Sequence, residues 1–367
     1  MGFLVNRISA RIAQFRKNLV SLAKNFHDFF FQREQDGSAL LDFHRKAKQD
    51  NFKSEFIIPA SFIQKCTPIS RWLNIRLLLI GFHVPIPYRE FYQLQGRVSM
   101  TYQFAEINGV KYHYDLQGEG ETLVLIHSGI ANLQMWEEQL DEFCKQFQIL
   151  RYDARGWGET PDPAGTNTDH DDLKELLKVL DIDRTHVLGL SYGGQIAIDF
   201  ALAYPEMVIN LIAVAPALGG FDFPKDAYID SHLEKVKEAT RVGDLDLASE
   251  IYARMWVDGP FRKAEEVDQD VRERAIVMIK HSLALVPECL GDGSILDPPA
   301  ATRLGEIQAK TLLIFGDKDA DKMKAVADSI LANVPGVTFA EIKDVGHSPN
   351  MEKPERFNQI VLDFLLE

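Results

Sequence analysis

The stretch "GLSYGG" at residues 189–194 decides the fold, because it places a serine between glycines where a predicted strand becomes a predicted helix. The apolar run Val187–Leu190 before the serine is typical of a buried strand. The segment "QIAIDFALAY" after it has apolar residues at spacings of two to four, as expected of a mostly buried helix that Pro205 ends. A turn this sharp forces strained backbone angles on Ser191, and side chains on the flanking glycines would clash.

Such a turn favours a nucleophile at its apex. It exposes Ser191 Oγ at the end of the strand and leaves the backbone N–H of Tyr192 pointing the same way. A serine hydroxyl is a poor nucleophile near neutral pH and needs a base, which in turn needs an orienting acid. The motif alone also fits an ordinary glycine-rich turn, so the downstream sequence has to supply both partners.

Two downstream segments supply these partners in the expected chain order. The apolar run "TLLIFG" leads to Asp319, and the alternating run "VTFAEIKDVG" leads to His347. The order Ser191, Asp319, His347 predicts a catalytic triad of nucleophile, acid and base. Asp317 is the alternative acid, and a merely solvated acidic turn is the other interpretation of its segment.

On these residues the chain resembles the α/β-hydrolase superfamily over roughly residues 105–367. Further landmarks of that family are the segments "LVLIHSGIANLQMW", "YDARGWGET" and "VGHSPNMEKPERFNQIVLDFL". The segments "MWVDGPFR" and "LDPPAATRLGEIQAKTLLIFGDKD" are similar to a capped subgroup of enol-lactonase-like and esterase-like serine hydrolases. The resemblance implies an α/β fold with a mostly parallel sheet flanked by helices and a helical cap over the site.

The resemblance also implies an oxyanion hole built from two backbone N–H groups. One is the N–H of Tyr192, and the other is expected in the loop where the family usually has His-Gly and this chain has His127-Ser128-Gly129. A register count from His127 to Trp136 assigns the second donor to Gly129. Two such donors would hold the developing oxyanion. We expect Ser128 to shift this loop slightly and His127 to be a structural hydrogen-bonding residue.

The sequence divides into an N-terminal extension and a hydrolase unit that carries an insertion. We assign residues 1–100 to a basic, mainly helical extension, residues 101–218 and 301–367 to the α/β core, and residues 219–300 to a helical cap. The insertion has helical patterns and no convincing strand. A cap at this position would exclude water and shape the pocket.

Candidate residues for the substrate pocket are aromatic or flexible apolar side chains near the predicted site. They are Trp157, Met255 and Trp256, although each of them also fits plain core packing. Arg262 is interpreted as a solvated surface residue, with recognition of a substrate carboxylate as the alternative.

The extension differs from the rest of the chain in charge. Its first 27 residues contain no Asp or Glu, and apolar residues recur mostly every three or four positions between basic ones, as in a basic amphipathic helix. Residues 1–100 carry a net charge of +8, although the whole chain carries −14. Three interpretations stay open: peripheral membrane contact through residues 1–30, organellar targeting, or packing on the hydrolase unit or on a second copy in a homodimer.

The composition and motifs of the chain limit the compartment, cofactors and macromolecular partners that we expect. Three scattered cysteines fit a reducing compartment, so we expect a cytoplasmic location, with membrane association or an organelle as alternatives. The sequence lacks ligand-spaced Cys and His residues, a phosphate loop and a dinucleotide fingerprint, so no metal or cofactor is expected. No nucleic-acid partner is expected either, since no reader motif accompanies the basic charge.

The predicted function is that of a serine hydrolase cleaving a carboxylic ester or lactone of a small molecule through an acyl-enzyme on Ser191. Carbon–carbon bond hydrolysis and acyl transfer use the same triad and are the nearest alternatives. Dehalogenation and epoxide opening on this fold are similar to each other in using an aspartate nucleophile, which Ser191 argues against. A non-catalytic ligand-binding protein of the same fold is the alternative from another class.

Overall fold

The structure, a computed structural model, describes residues 102–129, 131–162, 168–285 and 295–367, so the predictions for residues 1–100 lie outside the described residues. The described residues contain one eight-stranded sheet. Its strands are β1 (Gln103–Ile107), β2 (Val110–Gln117), β3 (Thr122–Ile126), β4 (Gln148–Tyr152), β5 (Thr185–Leu190), β6 (Val208–Val214), β7 (Lys310–Gly316) and β8 (Thr338–Ile342).

The sheet is parallel except at one edge. Its strand order is β1-β2-β4-β3-β5-β6-β7-β8, and β2 pairs in the antiparallel sense with both of its neighbours, β1 and β4. The central strands β3 and β5 are buried at every residue, as expected of parallel strands that are covered on both faces. The predicted α/β fold with a mostly parallel sheet flanked by helices is therefore confirmed.

Helices connect the parallel strands. They are α1 (Glu137–Phe143), α2 (Asp169–Val179), α3 (Tyr192–Ala203), α4 (Ala227–Arg241), α5 (Leu245–Ala253), α6 (Gln269–Leu285), α7 (Asp321–Asn333), α8 (Pro349–Glu352) and α9 (Pro354–Leu366). No helix within the described ranges is long and apolar enough to cross a membrane.

The predicted cap region, residues 219–300, contains the helices α4, α5 and α6, and its described part has no strand. A five-residue π-helical turn, Arg254–Asp258, follows α5. Val236, Val257 and Ile279 belong to a small apolar cluster of this region. The insertion therefore has a core of its own, and its role as a cap over the site stays a prediction.

A buried carboxyl group in α3 makes the stability of this fold depend on pH. Asp199 is 2% exposed, and its Oδ1 has no hydrogen-bond partner in the part of the chain that the structure describes. Burial raises the pKa of Asp199 to about 7, although a hydrogen bond from the backbone N–H of Leu296 and the charge of Arg303 act in the opposite direction. Folding therefore favours the protonated form of this side chain.

We predict that Asp199→Asn stabilises the protein increasingly as the pH rises above about 4. In the unfolded chain the carboxyl group loses its proton near pH 4, so its stabilising contribution is complete below about pH 4 and is lost as the pH rises through about 7. Asparagine cannot ionise, so we expect the free energy of unfolding of the Asp199→Asn variant to exceed that of the wild type by roughly 2–4 kcal/mol at pH 8.

Urea denaturation at pH 8 and at pH 4.5 measures this difference. The difference between Asp199→Asn and the wild type should shrink towards zero at the lower pH. Asp230→Asn on the exposed side of α4 is the control, and it should show no such change. An Asp199→Asn variant that is destabilised equally at both pH values would contradict the prediction.

Candidate active site

The predicted site residues lie in loops that follow parallel strands. Gly129 follows β3, Ser191 follows β5, Asp319 follows β7 and His347 follows β8. The carboxyl ends of parallel strands meet at one edge of a sheet, where ligands bind in open α/β folds. The topology therefore places all four residues at the same edge.

Ser191 occupies a strained turn between β5 and α3. Its φ is 55° and its ψ is −113°, a backbone conformation that L-residues rarely adopt. Its N–H donates to the Val214 carbonyl at 2.9 Å, and its own carbonyl accepts the N–H of Ala217 at 2.9 Å. The neighbouring strand β6 and the loop after it therefore hold the serine in this conformation.

The glycines around Ser191 are required by close packing. A Cβ on Gly189 would overlap the Gly193 carbonyl, and a Cβ on Gly193 would overlap the carbonyl oxygen of Ile126 at the end of β3. These are the clashes that the sequence predicts. The sequence analysis missed a third position, Gly194, whose Cβ would lie 2.6 Å from Cβ of Pro216.

His347 and Asp319 form a buried hydrogen-bonded pair. The distance from His347 Nδ1 to Asp319 Oδ2 is 2.7 Å, and both side chains are 2% exposed. Asp319 Oδ1 accepts the backbone N–H of Ala320 at 2.7 Å, which fixes the carboxylate. Because the carboxylate accepts a hydrogen bond from Nδ1–H, His347 Nε2 is the nitrogen left to act as a base.

Asp317, the alternative acid, forms hydrogen bonds with the turn after β8 and with Lys318. Its Oδ1 accepts the backbone N–H of Asp344 at 2.5 Å, and its Oδ2 accepts a hydrogen bond from Lys318 at 3.1 Å. Asp317 therefore supports the turn after β8, and Asp319 is the acid that contacts His347.

Trp256 lies against the histidine. The centroid of its ring is 4.6 Å from that of His347, with an angle of 36° between the planes. Trp256 belongs to the π-helical turn after α5, a type of turn that is frequent at functional sites. The adjacent Met255 is fully buried in the main core of the protein. Of these two pocket candidates, Trp256 lies against the predicted base and Met255 packs in the core.

Arg262 corrects the sequence interpretation, since it is neither solvated nor available to a substrate. It is 8% exposed, and its guanidinium donates to Glu352 Oε2 at 2.5 Å and to the Val257 carbonyl at 2.7 Å. Glu352 also accepts the N–H of Gly346 at 2.8 Å. This ion pair fixes the loop immediately before His347. The residues next to Arg262 in the sequence do not distinguish a buried, ion-paired arginine from an exposed one. The sequence alone therefore could not predict this role.

The proposed oxyanion donors Gly129 and Tyr192 lie beside each other, with Trp157 next to both. A Cβ on Gly129 would lie 3.4 Å from Tyr192 Cβ and 3.5 Å from Cζ2 of Trp157. The rings of Trp157 and Tyr192 are 6.2 Å apart. Ser128 is fully buried and does not have a positive φ, so its side chain requires no strained backbone in this loop.

His127 uses both ring nitrogens in structural hydrogen bonds. Nε2 accepts the backbone N–H of Ala154 at 3.0 Å, so the proton is on Nδ1, which donates to the Ser128 carbonyl at 2.8 Å. Burial lowers its pKa, which favours this neutral form. The expected structural role of His127 therefore fits the observed geometry.

Asp153 is a positioning residue that the sequence analysis missed. It is buried at the end of β4 and accepts the backbone N–H of Leu133 at 2.8 Å and that of Glu159 at 2.9 Å. It also contacts His113 Nδ1 at 2.6 Å. The carboxylate thus joins the loop after β3 to the loop that carries Trp157. Its place directly after β4, within the family-like segment "YDARGWGET", is the sequence signal that could have identified it.

Comparison with known proteins places this geometry in a family. A model of the alpha/beta hydrolase family matches residues 123–360. The chain belongs to the alpha/beta hydrolase family. This match spans the loops after β3 and β5 and the predicted acid and base, so the resemblance found in the sequence is confirmed.

Three proteins similar to this chain differ in their degree of likeness. A 2-hydroxy-6-oxononadienedioate/2-hydroxy-6-oxononatrienedioate hydrolase from Paraburkholderia phymatum is 29% identical over 70% of this chain and 91% of its own length. A hydrolase structure from Pseudomonas aeruginosa has 27% identity and a TM-score of 0.61, and the match covers 73% of this chain and 99% of that one. The enol-lactonase from Burkholderia xenovorans has 23% identity and a TM-score of 0.60, with coverage of 72% and 100%, a likeness of fold.

The two acids after β7 give a direct test of the site. We predict that Asp319→Asn lowers kcat by about 10⁴-fold, because an amide cannot hold His347 in the required tautomer or stabilise its charged form. Asp317→Asn is the matched control and should lower kcat by no more than about fivefold, since it contacts the turn after β8. Steady-state kinetics on an activated ester measures both variants, and the reverse order of effects would exclude Asp319 as the acid.

Proposed function

We propose that this hydrolase cleaves carboxylic esters or lactones of small molecules through an acyl-enzyme on Ser191. The observation that carries the proposal is the buried pair of Asp319 and His347 at the sheet edge where Ser191 is held with a φ of 55°. Strained residues persist where the surrounding fold over-determines them, and they concentrate at functional sites. A serine presented in this way at the same sheet edge as an oriented histidine is suited to nucleophilic attack on a carbonyl carbon.

The mechanism follows from the roles of the individual atoms. His347 Nε2 takes the proton of Ser191 Oγ as Oγ attacks the carbonyl carbon, and Asp319 stabilises the resulting imidazolium. The N–H groups of Gly129 and Tyr192 hydrogen-bond to the developing oxyanion. His347 then gives its proton to the leaving oxygen. In the second half of the reaction His347 takes a proton from water as the water attacks the acyl carbon, and it gives this proton to Ser191 Oγ as the acyl-enzyme breaks down.

A cap role for the insertion is part of this proposal. Trp256, which belongs to the insertion, lies 4.6 Å from the ring of His347. The insertion therefore reaches the predicted base, where it would restrict the access of water. Trp157, on the loop after β4, borders the proposed oxyanion donors and is the candidate for the opposite wall of the pocket.

A second candidate is hydrolysis of a carbon–carbon bond next to a ketone. It is favoured by the Paraburkholderia phymatum relative, whose named substrate is a dicarboxylate with an oxo group and no ester. The same serine attack on a carbonyl serves both reactions, but the leaving group is then a carbon that must be protonated. Acyl transfer would differ only in the acceptor of the acyl group.

A substrate panel separates these candidates. We expect the highest kcat/KM on short-chain esters and lactones and at least tenfold lower values on a 2-hydroxy-6-oxo-dienoate, whose cleavage is followed by the loss of its dienoate absorbance. The opposite ranking would replace the ester proposal with carbon–carbon hydrolysis. No turnover of any substrate would favour a ligand-binding protein instead.

If Ser191 and His347 act in one triad, the effects of replacing them on kcat should not be additive. Ser191→Ala and His347→Ala should each lower kcat by about 10⁵–10⁶-fold, and the double variant should lose little more, because the triad acts as a unit. Kinetics on the best substrate of the panel measure all three variants. Multiplicative losses in the double variant would show that Ser191 and His347 do not act in one step.

A further inference from the structure

The side chain of Tyr192 is fixed at both ends. Its hydroxyl donates to Asp169 Oδ2 at 2.5 Å, a length typical of a hydrogen bond to a charged acceptor. Its ring lies 6.2 Å from that of Trp157, and its Cβ borders Gly129. Asp169 is the first residue of α2, so this bond joins the start of one helix to the start of the next.

The backbone of the same residue carries a proposed catalytic donor. Tyr192 is the first residue of α3, and the first N–H groups of a helix have no acceptor within the helix. The preceding residue, Ser191, has a positive φ, so the direction of the Tyr192 N–H is set in a strained turn. Small rotations of this peptide would move the donor away from the oxyanion, and a side chain held at its far end resists them.

We propose that the hydrogen bond between Tyr192 and Asp169 positions the oxyanion hole by fixing the peptide that carries one of its two donors. This inference rests on the proposed function. It makes Asp169 and the Tyr192 hydroxyl positioning groups, which act on the reaction through the Tyr192 N–H. Hydrogen bonds to a transition state are sensitive to such placement, because donors must lie about 2.7–3.1 Å from the oxyanion.

The environment of Asp169 makes the hydrogen bond between Tyr192 and Asp169 sensitive to pH. Burial raises the pKa of Asp169 to about 6, and the hydrogen bond from Tyr192 lowers it. Below about pH 6 the carboxylate becomes neutral, so the bond from Tyr192 loses its charge-assisted character. The other groups that act on this carboxylate or are affected by it come from α2, β4, the loop after β4 and α3: Asp172, Tyr152, Arg155, Asp162 and Asp199.

The protein contains a matched control for this bond. Tyr204, immediately after α3, donates its hydroxyl to Asp171, which also lies in α2. Both tyrosine–aspartate bonds therefore join the same two helical segments, but only the one from Tyr192 lies next to the serine turn. Loss of either bond removes a helix contact, whereas only loss of the first should affect the oxyanion donor.

The experiment compares Tyr192→Phe with Tyr204→Phe on an activated ester. Tyr192→Phe keeps the ring and the backbone N–H, and we expect kcat to fall about tenfold with KM changed less than twofold, the pattern of an interaction made only in the transition state. The inhibition constant of a trifluoromethyl ketone, which forms an oxyanion on the serine, should rise by the same factor. Tyr204→Phe should leave both constants within twofold of the wild type.

A double-variant cycle with Asp169→Ala tests whether the two groups act together. Asp169→Ala should lower kcat by about as much as Tyr192→Phe, and the combination should lose little more. Equal effects of Tyr192→Phe and Tyr204→Phe, or losses that multiply in the combination, would overturn the inference. If Ser191→Ala retained turnover, the proposed function itself would fail, whereas an inactive Ser191→Ala beside a fully active Tyr192→Phe would overturn only this inference.

The pH dependence provides a readout that a merely structural bond would not change. Asp169→Asn keeps an acceptor for the Tyr192 hydroxyl but cannot ionise. The ratio of wild-type kcat to that of Asp169→Asn cancels the contribution of His347, and it should fall towards one as the pH is lowered from 8 to 5. A ratio that stays constant over this range would contradict a role for the ionised carboxylate, even if Tyr192→Phe failed to fold.

Discussion

The structure depends on one strained residue. The chain passes from β5 to α3 through Ser191, whose positive φ is maintained by backbone hydrogen bonds to Val214 and Ala217. This turn packs so closely against the end of β3 that Gly193 has no room for a Cβ atom. The strain is compatible with a stable protein because the turn lies at the centre of a large parallel sheet, and the strands on either side of β5 fix it.

The other proposed site residues are fixed by buried hydrogen bonds at the same edge. Asp153 joins two loops through backbone N–H groups, and the ion pair of Arg262 and Glu352 supports the loop before His347. Loops that carry functional groups need such anchors, because their own backbone makes few regular hydrogen bonds. The precision required of the proposed oxyanion donors and the predicted triad is thus supplied by buried polar side chains that hold the loops.

The sequence predicts the fold and the proposed catalytic residues because their signals are local. Glycines at fixed offsets from Ser191, and an acid and a histidine after apolar runs, are patterns within a few residues. Asp319 could also be preferred over Asp317 because it lies three residues beyond Gly316. The supporting residues could not be predicted in this way. The partner of Arg262 lies 90 residues away and that of Asp169 lies 23 away, so only the folded chain brings them together.

The most direct test of the account is covalent labelling of the serine. Wild-type protein treated with a fluorophosphonate should gain one adduct by intact mass, peptide mapping should place it on Ser191, and His347→Ala should react far more slowly. This result would establish that the strained serine is a nucleophile activated by the histidine. An adduct on another residue, or equal labelling of the wild type and His347→Ala, would contradict the account.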